Sequence, residues 1–206
     1  MDILTSPMLS GLTWLEHGFG TREGPRSQDG MATLKQIHSA VVHIAQGAGS
    51  CGEGDGLLTN VADTALSIRT ADCLPILLAD TGRRAVGAIH AGWRGTAAGV
   101  IGETISRMRS AFGADPAYIR AAIGPGIGVC CYEVGDEVGR LFVEMTAERH
   151  LDLAAANRRQ LIEAGVPESQ IHVTAVCTFC DSRRFHSFRR DKDDAGRMIS
   201  FIRIRG

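Results

Sequence analysis

The sequence predicts an α+β fold: layered mixed β-sheets forming a β-sandwich-like core with flanking helices, in one domain over residues 1–206. Three observations predict it. Short apolar segments bounded by Gly, Asp or Pro run through the first ninety residues. Helical spacing alternates with strands only after them. The glycine loop Gly124-Pro125-Gly126-Ile127-Gly128 fails the GxGxxG pattern of a doubly wound dinucleotide fold, with Pro125 standing where such a loop offers a backbone N–H. The length of 206 residues suits one core and is short for two ordinary domains.

In chain order, the apolar and partly β-branched stretches 41–45, 65–69, 74–79, 85–90, 118–123, 171–176 and 198–204 read as strands. Residues 96–112 place Val100, Ile101, Ile105 and Met108 on one helical stripe. Residues 135–145 read as a second helix. Residues 152–164 read as a third, closed by Gly165 and Pro167. The glycine-rich stretch 47–56 reads as turns, with Cys51 a surface thiol.

Composition sets the class. An apolar fraction of 44% and a net charge of −1 exclude a disordered chain and a basic nucleic-acid tail. No apolar run approaches the roughly 20 residues of a membrane helix, and residues 1–10 lack the pattern of a secretory leader. The expected protein is cytoplasmic, a monomer or homodimer with no nucleic-acid or membrane partner. Six cysteines then stay as thiols, available for metal or catalysis.

The chemistry gathers at strand ends. Cys73 lies between two apolar strands in Arg69-Thr70-Ala71-Asp72-Cys73-Leu74-Pro75, and His90 ends a strand before Ala91-Gly92-Trp93-Arg94-Gly95. If the strands flanking Thr81-Gly82 pair as a hairpin, residues whose numbers add to about 163 face one another, which brings Cys73 close to His90. His38 supplies a third donor. Cys, His and His form a borderline-soft set suited to zinc, with a fourth position free for water or substrate. The same cysteine and histidine would also serve as nucleophile and base of a cysteine hydrolase. As ordinary residues they would be a buried thiol and a turn histidine.

Towards the C-terminus, Cys177, Cys180 and His186 offer a second set of donors, although no second CxxC completes a structural zinc site. Vicinal Cys130 and Cys131 read as packing residues, and His150 and His172 as surface residues. The arginines of Arg183-Arg184-Phe185-His186-Ser187-Phe188-Arg189-Arg190 are spaced among aromatic rings, a pattern able to hold phosphate and stack on a base.

Taken together, these segments resemble the YfiH-type proteins, a family long labelled multicopper polyphenol oxidase or laccase-domain. The resemblance runs along almost the whole chain. Its matching segments include His17-Gly18-Phe19-Gly20-Thr21-Arg22, Lys35-Gln36-Ile37-His38, Asp55-Gly56-Leu57-Leu58-Thr59, Thr70-Ala71-Asp72-Cys73-Leu74-Pro75, His90-Ala91-Gly92-Trp93-Arg94-Gly95, Cys177-Thr178 and Phe185-His186-Ser187-Phe188-Arg189-Arg190-Asp191. It implies one zinc ion on His38, Cys73 and His90, copper being a substitute. It also implies a purine nucleoside phosphorylase that takes adenosine, inosine or methylthioadenosine with phosphate and deaminates adenosine.

On this reading Cys73, Asp72, Arg94 and Cys177 are the catalytic candidates, and Arg22, Asp55, Arg189 and Arg190 bind substrate. Asp72 or Asp55 would alternatively orient ligands. The chain departs from typical relatives in being much shorter between Gly24 and Lys35, which predicts an altered pocket wall. True multicopper oxidation is excluded, because seven histidines without any HxH cannot build the required copper cluster; a weak polyphenol oxidase (laccase-like) activity, with copper in place of zinc, stays as an alternative. A noncatalytic editing or regulatory factor in cell-wall or nucleotide metabolism remains a distinct alternative.

Overall fold

A computed structural model describes residues 2–206, so that only Met1 of the expected domain lies outside the described residues. Its strands are β1 (Ile3–Leu4), β2 (Leu15–Gly20), β3 (Ala32–Lys35), β4 (Val42–Ile44), β5 (Gly49–Glu53), β6 (Gly56–Thr59), β7 (Leu66–Thr70), β8 (Leu74–Asp80), β9 (Ala85–Ala91), β10 (Ile119–Ile123), β11 (Thr146–Ala147), β12 (His150–Leu151), β13 (Ile171–Val173) and β14 (Met198–Ile204). The helices are α1 (Pro7–Ser10), α2 (Trp93–Ala97), α3 (Val100–Phe112), α4 (Asp136–Gly139), α5 (Leu153–Glu163) and α6 (Phe188–Asp191).

Two six-stranded mixed sheets form, in the orders β1-β2-β14-β7-β3-β5 and β13-β10-β8-β9-β6-β4. The sandwich follows from alternation along the strands. Leu77, Ala79, Val86 and Ala88 of the second sheet pack with Leu66, Ile68 and Ile202 of the first. The opposite face of the second sheet presents Ile76, Leu78 and Ile89 to Ile101, Ile105 and Met108 of α3 and Leu153 and Leu161 of α5. With both faces covered, β8 and β9 are buried at every position, which is why they read as unbroken apolar runs.

Several local expectations need correction. The stretch 96–112 is two helices, because Gly99 takes a left-handed conformation (φ 81°) between α2 and α3. Residues 135–145 form the short α4 and then a 3₁₀ segment, not one helix. The strand expected over 171–176 stops at Val173. Residues 47–56 are not merely turns: β5 lies among them, and Cys51 packs beside the inter-sheet core. His172 is partly buried with Nδ1 3.1 Å from Ser6 Oγ, and His150 is a paired strand residue, so neither is a plain surface side chain. Residues 24–35, expected to be shortened, deliver β3, which pairs in parallel with β5 and β7.

Candidate metal centre

The β8–β9 hairpin brings its donors together with a register two residues from the expected one. Pro75 faces His90 and Leu74 faces Ala91, because the connection spans Thr81 to Arg84 instead of two residues. Cys73 sits just before β8 and His90 near the end of β9. His38 enters from the loop between β3 and β4. The ligand atoms of His38, Cys73 and His90 all lie within 4.8 Å of one another, with Cys73 Sγ 3.9 Å from His38 Nε2. The two imidazole rings meet edge to face at 4.8 Å.

Two buried aspartates hold this arrangement. Asp55, wholly buried, accepts from His90 Nδ1 at 2.7 Å, which leaves Nε2 as that ring's free nitrogen. Its other oxygen accepts from Ser39 N at 2.6 Å, Ser39 Oγ at 2.8 Å and Ile37 N at 3.3 Å, gripping both neighbours of His38. His38 itself is in a left-handed conformation (φ 61°), a strained state for a non-glycine residue that these bonds sustain. Asp72 (φ 84°) is likewise strained, and its carboxylate accepts from Thr178 Oγ1, Ser187 Oγ and Arg189 N at 2.7, 3.1 and 2.6 Å.

The electrostatics favour anionic sulfur. Burial pushes the Cys73 thiol up, but His38 and His90 outweigh it and bring the group to about 6. Burial pushes His90 down, but Asp55 and the Cys73 sulfur raise it to about 9. Burial opposes ionisation of Asp55, yet its bonds to His90 and Ser39 hold it at about 2. A cation among the donors would take the place of the imidazolium charge.

The donor set fits a divalent ion. Tetrahedral bonds of about 2.0 Å to nitrogen and 2.3 Å to sulfur set the ligand atoms roughly 3.3–3.5 Å apart, a few tenths of an ångström inside the 3.9 Å between Cys73 Sγ and His38 Nε2. Gly92 makes room: a Cβ there would stand 2.8 Å from Cys73 Sγ and 3.1 Å from His38 Cδ2. Three protein ligands and a carboxylate behind one imidazole match an open catalytic site better than a closed structural one.

The donors sit between two cavities. The larger, about 490 Å³, is lined by Trp93, Tyr132 and Phe188 and by Arg94, Arg189 and Lys192. The smaller, about 330 Å³, adds Gln36, Arg69 and Arg197. Arg94 lies over the Trp93 ring at 4.2 Å and Arg189 over Tyr132 at 5.5 Å. Lys192, Arg69 and Arg197 were missed from sequence, since a basic residue beside or between motifs carries no signal of which cavity it lines.

Five of the expected site residues have other partners in the structure. Arg22 donates to the Phe185 carbonyl and Asp191. Arg190 spends its guanidinium on the carbonyls of Thr178, Phe179 and Phe185 and on Asp191, so that it has no donor left for phosphate, whereas Arg22 keeps Nη1 uncommitted. Asp55 lines neither of these cavities and holds His90 and the neighbours of His38. Asp72 borders the larger cavity, but its three donors commit it to bracing the loop beside Cys73. Cys177 is also displaced from the expected catalytic role, because its sulfur faces Cys130, Cys131 and Cys180. Residues 24–35 line neither cavity.

Comparison with known proteins is consistent along the chain. A family model described as multi-copper polyphenol oxidoreductase laccase matches residues 21–205. The purine nucleoside phosphorylase YlmD of Geobacillus stearothermophilus is 42% identical over 161 residues, 72% of this chain and 59% of that protein. An adenosine deaminase from an unknown prokaryotic organism is 37% identical over 161 residues, 72% of this chain and 61% of that one. The chain therefore spans about three fifths of the length of these relatives. The crystal structure of the Bacillus licheniformis hypothetical protein YfiH superposes with a TM-score of 0.88 at 28% identity, covering 99% of this chain and 97% of that one.

Proposed function

We propose, since this chain belongs to the multi-copper polyphenol oxidoreductase laccase family of YfiH-like proteins, that it is a zinc-dependent purine nucleoside phosphorylase with adenosine deaminase activity. The observation that carries this reading is the convergence of His38, Cys73 and His90 between cavities walled by aromatic rings and cations. Relatives named for both activities support it.

Phosphorolysis joins a phosphate oxygen to C1′ of the ribose as the C1′–N9 bond breaks. The bonding pair leaves with the base, and the hydrogen phosphate proton ends on it. Arg94, Arg189 and Lys192 supply cations to hold phosphate and stabilise charge as it shifts. Tyr132, Trp93 and Phe188 offer faces against which a purine stacks. Asp55 fixes the His90 tautomer and Asp72 holds the Arg189 backbone, so both act as positioning residues. Bound zinc would supply Lewis-acid polarisation of a substrate atom or activation of water.

Copper could replace zinc on the same donors, which would account for a laccase label. A second reading, a cysteine hydrolase, draws on the lowered Cys73 thiol beside His90. Stoichiometric zinc protecting Cys73 from alkylation would exclude it.

The test is incubation of zinc-loaded protein with adenosine, inosine and methylthioadenosine, with and without phosphate. Free base with sugar 1-phosphate, formed only when phosphate is present, is expected, together with inosine from adenosine. No conversion of any of the three nucleosides would overturn the assignment.

A further inference from the structure

On the far side of the Asp72 loop, the fold gathers four cysteines that the proposed chemistry does not use. Cys130 and Cys131 come from the turn after β10, and Cys177 and Cys180 from the loop after β13. Their sulfurs all lie within 4.8 Å of one another. Cys180 Sγ is 3.3 Å from Cys131 Sγ and 3.7 Å from Cys130 Sγ. We propose that Cys130, Cys131, Cys177 and Cys180 form a second, structural metal site that takes one zinc ion as a tetrathiolate.

The geometry favours a single ion. Zinc–sulfur bonds of about 2.3 Å set tetrahedral sulfurs roughly 3.8 Å apart, in the middle of the observed range. A polynuclear iron–sulfur cluster would spread its thiolates over several irons, beyond this spacing. A disulfide would single out one pair, whereas Cys180 stands within 3.7 Å of both vicinal cysteines. Gly128 N donates to Cys177 Sγ at 3.2 Å, an amide aimed at sulfur of the kind that supports a thiolate ligand. All six cysteines are free thiols in the structure, so four donors of the right softness are available. On binding, each S–H gives up its proton to solvent as its sulfur bonds the ion, with no change of oxidation state.

The place of the site suggests its use. It ties the 124–132 loop, which carries Ile127 and Tyr132 into the larger cavity, to the 177–181 loop, whose Thr178 donates to Asp72. A bridge between Gly126 and Cys177 joins the same two loops through the backbone. The ion would fix one wall of the cavity and the brace behind Cys73 together, from outside the reaction site.

The experiment is metal analysis of the full chain purified under reducing conditions, as wild type, as Cys73→Ser and as the double variant Cys177→Ser/Cys180→Ser. Two zinc equivalents are expected in the wild type and one in each variant. After cobalt exchange, the Cys73→Ser protein should show the intense sulfur-to-cobalt absorption of a tetrathiolate. If the double variant does not fold, the Cys73→Ser protein alone decides. A wild type with one equivalent that Cys73→Ser abolishes would overturn the proposal. So would a Cys131–Cys180 or Cys130–Cys180 disulfide in the mass spectrum of the metal-free protein. None of these readings depends on turnover, so they stand apart from the test of the proposed function.

Discussion

At the scale of single residues, Asp55 explains most about the centre, because one buried carboxylate sets the His90 ring and both amides flanking His38. Replacing it by Asn keeps the size but turns one acceptor into a donor. Asp55→Asn should weaken zinc affinity about 10–100-fold, measured by competition with a chromophoric chelator. Arg94, exposed and stacked on Trp93, lines the larger cavity and donates no side-chain hydrogen bond to the described residues. Arg94→Ala should raise the KM for phosphate by roughly ten- to a hundredfold, the loss of one charged hydrogen bond, with zinc content unchanged. His38, Cys73 and His90, which the fold brings together, stood out in the sequence because their residue types are rare and chemically distinctive. It did not separate Arg94 and Arg189 from Arg22 and Arg190, since an arginine facing a cavity and one saturated by carbonyls look alike in a linear motif.

At the scale of elements, the hairpin, α3 and α5 were legible because their apolar periodicity matches the faces they bury. The expected stripe of Val100, Ile101, Ile105 and Met108 is the buried side of α3. The glycine-containing strands β2 and β5 were hidden, because glycine signals turns unless neighbouring strands impose extension. Their pairing is tertiary: β2 pairs with β14, more than 180 positions away, and β5 with β3. Helix α5 starts where Asp152 accepts from Ala155 N at 2.8 Å. Asp152→Ala should cost about 1 kcal/mol, seen in calorimetry as a Tm lower by roughly 2–4 °C.

At the scale of the whole molecule, one doubly covered sheet serves two cores and presents its strand ends to the metal donors, so stability and site geometry share a scaffold. Acid should weaken this scaffold through His17, on β2 in the first sheet. Burial lowers the pKa of His17 from its ordinary 6.5, and its Nε2 accepts from Ser6 N at 2.9 Å only while unprotonated. The unfolded chain therefore binds this proton more readily, and the His17 contribution, present above about pH 6.5, is lost as pH falls towards the folded value. Urea midpoints at about pH 7 and about pH 5 should differ less for His17→Gln than for the wild type. Among the described residues no helix is long and apolar enough to cross a membrane.

If His38, Cys73 and His90 hold one ion with a position left for a ligand, anomalous diffraction at the zinc edge will show it. A peak is expected about 2.0–2.3 Å from His38 Nε2, Cys73 Sγ and His90 Nε2, with a non-protein ligand completing the tetrahedron. A map from zinc-supplied crystals with no peak among these three side chains, or with a fourth protein ligand closing the site, would contradict it.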